Sequence, residues 1–180
     1  MIPKKKQVII GLLIPLLILV AMTITPLLTV LFGRDVILET EPYDPRDLFR
    51  GDYVRLHYRI DQINIDKFSS DIRENPSHYK DKYLYILLKE KADSHVVDHV
   101  SAEKPKEQLY LKGKLRDPYQ FERIQPENQG ISLVFSLDKF FVPENTGSGL
   151  EDLSRKGDLL ARVKVFGGYA YLEEVFPKNI

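Results

Sequence analysis

The segment that most constrains this chain is Val8-Ile9-Ile10-Gly11-Leu12-Leu13 onward to Phe32, 25 residues without a single charge. As a helix it would be about 37 Å long at 1.5 Å per residue. That exceeds the roughly 30 Å hydrocarbon core of a bilayer, so it can cross with some tilt. Pro15 and Pro26 disfavour a soluble helix, whereas membrane helices accommodate proline; Pro26 is expected to kink the outer end. A cleaved signal peptide fits less well. Its apolar region normally runs about 7–15 residues and ends at small residues spaced A-x-A. Here the run is longer, and Val20-Ala21-Met22-Thr23 matches that rule poorly.

Orientation follows from the charges. Lys4, Lys5 and Lys6 precede the span with no acid among residues 1–33. Basic residues flanking a first span stay cytoplasmic. The reading is a cytoplasmic tip and transmembrane anchor over 1–33, held by membrane lipid, and an extracytoplasmic domain over 34–180. The expected site is a cell membrane crossed once, with the N-terminus inside. The whole chain has 26 basic and 26 acidic residues, so the body alone keeps 23 basic against 26 acidic, a net of −3. A mildly acidic body lacks the basic footprint of a nucleic-acid binder. There is no cysteine, which removes disulfides, thiolate metal sites and thiol catalysis. No cofactor motif is present, and none is expected.

The body reads as strands. Val54-Arg55-Leu56-His57-Tyr58-Arg59-Ile60-Asp61 alternates apolar with polar, the pattern of a half-buried antiparallel strand. Val36–Glu41, Tyr83–Leu88, Val96–Val100, Gln108–Leu115, Ile131–Leu137 and Phe140–Val142 are further candidates, with Tyr83–Leu88 central. Ala161–Phe166 and Tyr169–Val175 flank Gly167-Gly168, a two-residue hairpin of type I′ or II′. Residues 66–80 read as a loop with a helical turn. Ser148 is placed to cap a short helix ending near Arg155. The expected fold is mainly β, an antiparallel barrel or sandwich with one short helix, behind a single transmembrane helix.

The densest segment is Glu41–Tyr53. Asp44, Arg46, Asp47, Arg50 and Asp52 form a loop rich in both charges, and Gly51 permits an unusual backbone angle where the strand begins. The carboxylates suggest a divalent cation, but the interleaved arginines compete for the same oxygens, so a salt-bridged turn is favoured. Tyr53 and Tyr58 fit pillars with rings in the core and hydroxyls bonded at its edge.

Gly51-Asp52-Tyr53-Val54-Arg55-Leu56-His57-Tyr58 resembles the signature of the GDYXXLXY family at Gly51, Asp52, Tyr53, Leu56 and Tyr58. The lead-in Asp44–Arg50 is similar to that family as well. So is Phe140-Phe141-Val142-Pro143-Glu144, followed by Gly147 and Leu150-Glu151, although Asn145 stands where the family commonly has Gly. The resemblance spans most of residues 35–176. It implies a bacterial membrane-anchored protein and carries over no reaction and no catalytic residue.

Three functional readings remain. The leading one is a non-catalytic binding or assembly module for a membrane or envelope protein, with Asp44–Tyr58 as the first contact region and Pro143, Glu144 and Gly147 as the second. A membrane-tethered hydrolase of signal-peptidase-like type would need a serine activated by lysine; Ser69, Ser70, Ser132 and Ser136 lack a recognisable nucleophile setting. A small-ligand or metal sensor could use His95 and His99, whose spacing of four places both imidazoles on one face of a regular strand. No third ligand is evident, and a solvated strand face is the simpler reading.

Overall fold

The computed structural model describes residues 5–41, 53–55, 57–123, 130–135, 137, 139–141 and 159–178. Helix α1, Lys5–Phe32, runs unbroken through Pro15 and Pro26. Its stretch Ile9–Phe32 is long and apolar enough to cross a membrane; residues 9–25 are exposed, whereas Thr29 is buried. Gly33 alone separates it from β1, Arg34–Glu39. The Gly33 amide donates to the Thr29 carbonyl at 2.9 Å, continuing the helical ladder by one bond. A Cβ at Gly33 would lie 2.3 Å from that carbonyl oxygen and 3.0 Å from Lys164 Cβ. Glycine therefore lets the helix end press against the sheet.

The other elements are β2 (Tyr53–Arg55), β3 (Gln62–Asn64), α2 (Ser70–Glu74), β4 (Tyr83–Lys91), β5 (Ser94–Ser101), β6 (Tyr110–Lys114), β7 (Gly130–Ser132), β8 (Lys139–Phe141), β9 (Leu159–Phe166) and β10 (Tyr169–Pro177). All ladders are antiparallel. The sheets are β1-β9-β10, β5-β4-β6, β2-β8 and β3-β7. The fold is mainly β with one long N-terminal helix.

The two three-stranded sheets share a core. Alternate residues of β1 and β9, Val36, Leu38, Ala161, Val163 and Val165, meet Leu84, Ile86 and Leu88 of β4. This period of two is what places one face of each strand inside. Hydrogen bonds also join the sheets, among them that from Ser94 Oγ of β5 to Glu39 of β1 at 3.0 Å. The Ile37 amide of β1 donates to His95 Nδ1 of β5 at 3.2 Å. The Lys112 amide of β6 donates to the Gly168 carbonyl at 2.9 Å. None of these contacts is a ladder, so among the described residues no closed barrel forms, and that half of the barrel-or-sandwich expectation is corrected.

The hairpin at Gly167-Gly168 is as expected. The two glycines have φ of +57° and +82°, which selects the type I′ turn. Two strands are shorter than the sequence pattern suggests. The alternating run Val54–Asp61 is not one strand: β2 ends at Arg55, Tyr58 forms an isolated bridge, and Arg59–Asp61 is a 3-10 turn. The alternation nevertheless reports burial, because Tyr58 and Ile60 are inside and Arg59 is outside. The cause is local: Asp61 Oδ2 accepts from the Tyr58 amide at 2.8 Å, folding the chain back on itself. Likewise the described residues of Ile131–Leu137 yield the end of β7 and a bridge at Val134. Residues 66–80 hold α2 between two 3-10 turns, Ile65–Lys67 and Pro76–Tyr79. The helix expected from Ser148 lies outside the described residues.

Candidate functional site

The signature region joins the body through a stem built from both its flanks. On the near side, Thr40 pairs with Tyr58, and its amide and hydroxyl both donate to the Leu159 carbonyl, at 3.2 and 2.9 Å. The Glu41 amide donates to the His57 carbonyl at 2.7 Å. On the far side, β2 pairs with β8 in the register Tyr53↔Phe141, Val54↔Phe140, Arg55↔Lys139. The chain that precedes Tyr53 and the chain that follows Phe141 therefore join this ladder at the same end. The tertiary structure thus links the two stretches that the sequence singled out separately.

Tyr58 secures the connection. It is 1% exposed, and its hydroxyl donates to the Leu137 carbonyl at 2.9 Å, just before β8. The pillar expected at Tyr58 is present, with its ring fully buried. Asp44, Arg46, Asp47, Arg50, Gly51, Asp52, Leu56, Pro143, Glu144 and Gly147 lie outside the described residues, and Tyr53 is described in its backbone alone.

Beside the stem is a cavity of 540 Å³ that sequence reasoning did not reveal. Glu39, just before the signature region, and Arg59, just after it, both line this space, together with Lys91, Asp93, Ser94, Arg162 and Lys178. Apolar lining comes from Ile37, Val96, Leu160 and Phe176. Glu39 is the hub. Arg59 Nη1 lies 2.7 Å from its carboxylate, Lys178 Nζ lies 3.8 Å away, and Ser94 Oγ donates to it at 3.0 Å. Arg162 pairs with Glu174 at 2.8 Å and covers the Phe176 ring at 5.3 Å. Among the described residues, four cations against two carboxylates give the lining a positive excess over a partly apolar floor. No periodicity marks these residues, since they come from five separate segments.

The cavity sits at the end of β1 remote from α1. Arg34 pairs with Val165 beside the hairpin turn, and Glu39 pairs with Leu160 at the other end of β9. These five residue steps cover about 17 Å.

His95 and His99 do not face one another. The β4–β5 register slips between Leu87 and Leu88, which pair with His99 and Val97, leaving Asp98 as the extra residue. A bulge inverts the alternation beyond it. His95 consequently turns to the Ile37 amide, while His99 shares the other face with Asp98 at 3.1 Å. The same-face argument from spacing is thereby corrected. Lys89, and then His99, bond the Asp98 carboxylate and hold it below the usual carboxylate range. Among the described residues no group of three or more His, Asp or Glu could hold a metal. The partner brought to Ser132 is Gln120, whose Oε1 accepts from the Ser132 amide at 2.8 Å; Ser136 lies outside the described residues.

The model of the GDYXXLXY protein family matches residues 15–175. The chain belongs to the GDYXXLXY family. That match runs from within α1 almost to the end of β10, so it includes the paired β2–β8 stem, most of the apolar helix and the cavity lining up to Arg162, but not Phe176 or Lys178. Neither the curated proteins nor the solved structures provide a match to the chain.

Proposed function

We propose that this GDYXXLXY protein is a single-pass, membrane-anchored module whose domain lies outside the bacterial cytoplasm, and that it binds or helps assemble a membrane or envelope protein without catalysing a reaction. The observation that carries this reading is the stem. Pairing of β2 with β8 joins both signature stretches at one ladder end, and Glu39 and Arg59 link that region to the cavity remote from α1. A partner carrying carboxylates beside apolar side chains suits the positive lining. The one-residue link at Gly33 restricts the domain to partners near the bilayer, and Lys4–Lys6 favour a cytoplasmic N-terminus.

Two experiments test it. The natural chain has no cysteine, so Lys91→Cys gives a unique label site. A membrane-impermeant maleimide should label it on intact cells; labelling only after lysis would refute the orientation. Crosslinking in native membranes should then recover a partner, and recovery should fall in Asp44→Lys/Arg50→Glu and in Arg59→Glu. Failure to recover any partner with several crosslinkers, or undiminished recovery with these folded variants, would overturn the assembly reading.

A further inference from the structure

A second cavity, of 500 Å³, lies at the opposite end of the domain, against α1 itself. Thr25 of the helix, Tyr83 of β4, Lys112 and Lys114 of β6, and Phe166 and Tyr169 at the hairpin line it. Tyr83 is 56% exposed and Phe166 39% exposed. Lys114 Nζ sits 4.6 Å above the Tyr83 ring. This is an aromatic surface with basic edges, and among the described residues none of the signature region lines it.

Its depth follows from the helix. If the hydrocarbon layer begins just beyond Lys6, about 20 residues fill its roughly 30 Å, placing the outer boundary near Leu27 or Leu28. Thr25 is then within the last turn inside that boundary. It lies seven residues before Phe32, about 10 Å along the helix axis. Tilting α1 to immerse all of Ile9–Phe32 would place Thr25 deeper still. A domain surface packed beside Thr25 cannot stand clear of the headgroups.

We infer that the β9–β10 hairpin tip and its flanks are seated in the outer headgroup layer, with Phe166 at the acyl-chain boundary and Lys112 and Lys114 on lipid phosphates. The inference rests on α1 crossing the bilayer. The residue chemistry suits the place. Aromatic rings with polar edges concentrate at membrane interfaces, and lysines lay their stems on apolar surface while their ammonium groups reach polar oxygens. Gly167 adds to this, because even a Cβ there would meet no atom within 4 Å, so the outer edge of the tip is open. The arrangement fixes the domain's tilt as well as its distance, and directs the stem and the first cavity away from the lipid.

The chain has no tryptophan, so a single introduced one reports on its own surroundings. The full-length protein is reconstituted in phosphatidylcholine vesicles whose acyl chains are brominated near the glycerol. Three variants are compared: Phe166→Trp at the hairpin, Leu13→Trp within α1, and Lys91→Trp at the far end of β4, about 27 Å from Tyr83 along the strand. Quenching of Phe166→Trp should exceed that of Lys91→Trp several-fold, with blue-shifted emission. Equal, weak quenching of these two beside strong quenching of Leu13→Trp overturns the seated hairpin but leaves the anchor standing. Weak quenching of Leu13→Trp overturns the anchor and the inference together. Adding phosphatidylglycerol should deepen quenching of Phe166→Trp, since each lysine near an anionic surface contributes roughly fivefold to the seated population. In a folded Lys112→Glu/Lys114→Glu background that lipid dependence should vanish; its persistence overturns the assignment of the lysines to phosphates.

Discussion

Removing one oxygen from Tyr58 tests the stem that holds the signature region. In Tyr58→Phe the ring stays in the core and the hydrogen bond to the Leu137 carbonyl, 2.9 Å long and buried, is lost. Leaving a buried acceptor unsatisfied costs about 1–3 kcal/mol. For a chain of this size each kcal/mol lowers Tm by about 2–4 °C, so a loss near the middle of that range shifts Tm by ~4–8 °C. Tyr58→Ala also empties the space of a ring that is 1% exposed, and large-to-small aromatic changes cost about 3–5 kcal/mol. The assay is urea unfolding of the full chain in detergent, followed by near-ultraviolet circular dichroism of its 10 tyrosines. Two results would refute the reasoning. Tyr58→Phe within about 0.3 kcal/mol of the natural protein would mean that the bond adds nothing net. Equal losses for Phe and Ala would mean that the ring's packing is irrelevant.

The hairpin glycines should respond differently from one another. Both have positive φ, but a Cβ at Gly168 would lie 2.5 Å from Tyr110 Cε2, whereas the space at Gly167 is open; Gly168→Ala should lower the urea midpoint clearly more than Gly167→Asn, and equal effects would count against the close approach. His95→Leu removes the acceptor for the Ile37 amide, which should cost about 1 kcal/mol in the same unfolding assay, while His99→Leu on the other face should change little. Asp98 titrates below its ordinary value through Lys89 first and His99 second. Its contribution to stability is therefore present above the ordinary carboxylate pKa of 3.8 and fades as pH falls through its lower folded value. Lys89→Met should move the Asp98 titration upward toward that ordinary value by NMR, and an unmoved midpoint would show that the 2.7 Å Lys89 pair is not its cause.

Much of the architecture is legible in residue order because it depends on local pattern. An uncharged run from Val8 to Phe32 can satisfy its backbone in lipid only as a helix, and the helix runs to Phe32. An apolar run marks β4, apolar residues at every second position mark β9, and paired glycines mark the type I′ turn, since only residues free of a Cβ take two successive positive φ angles at little cost. The family signature, too, is a matter of residue order. Local pattern misled at Val54–Asp61 and at His95–His99. In the first, an Asp61 carboxylate turned the chain; in the second, one inserted residue, Asp98, inverted a face. Neither event changes the spacing of the residues around it.

Tertiary structure alone decided which segments meet. The pairing of Tyr53 with Phe141, the Tyr58 bond to Leu137, and the convergence of Glu39, Arg59, Ser94, Arg162 and Lys178 on one cavity join residues far apart in the chain. Such contacts form because strand edges and buried polar atoms must find partners somewhere in a packed core, and hydropathy order does not say which partner is near. The same holds for the aromatic and basic surface beside Thr25. Its members are ordinary strand residues until the fold sets them against the helix.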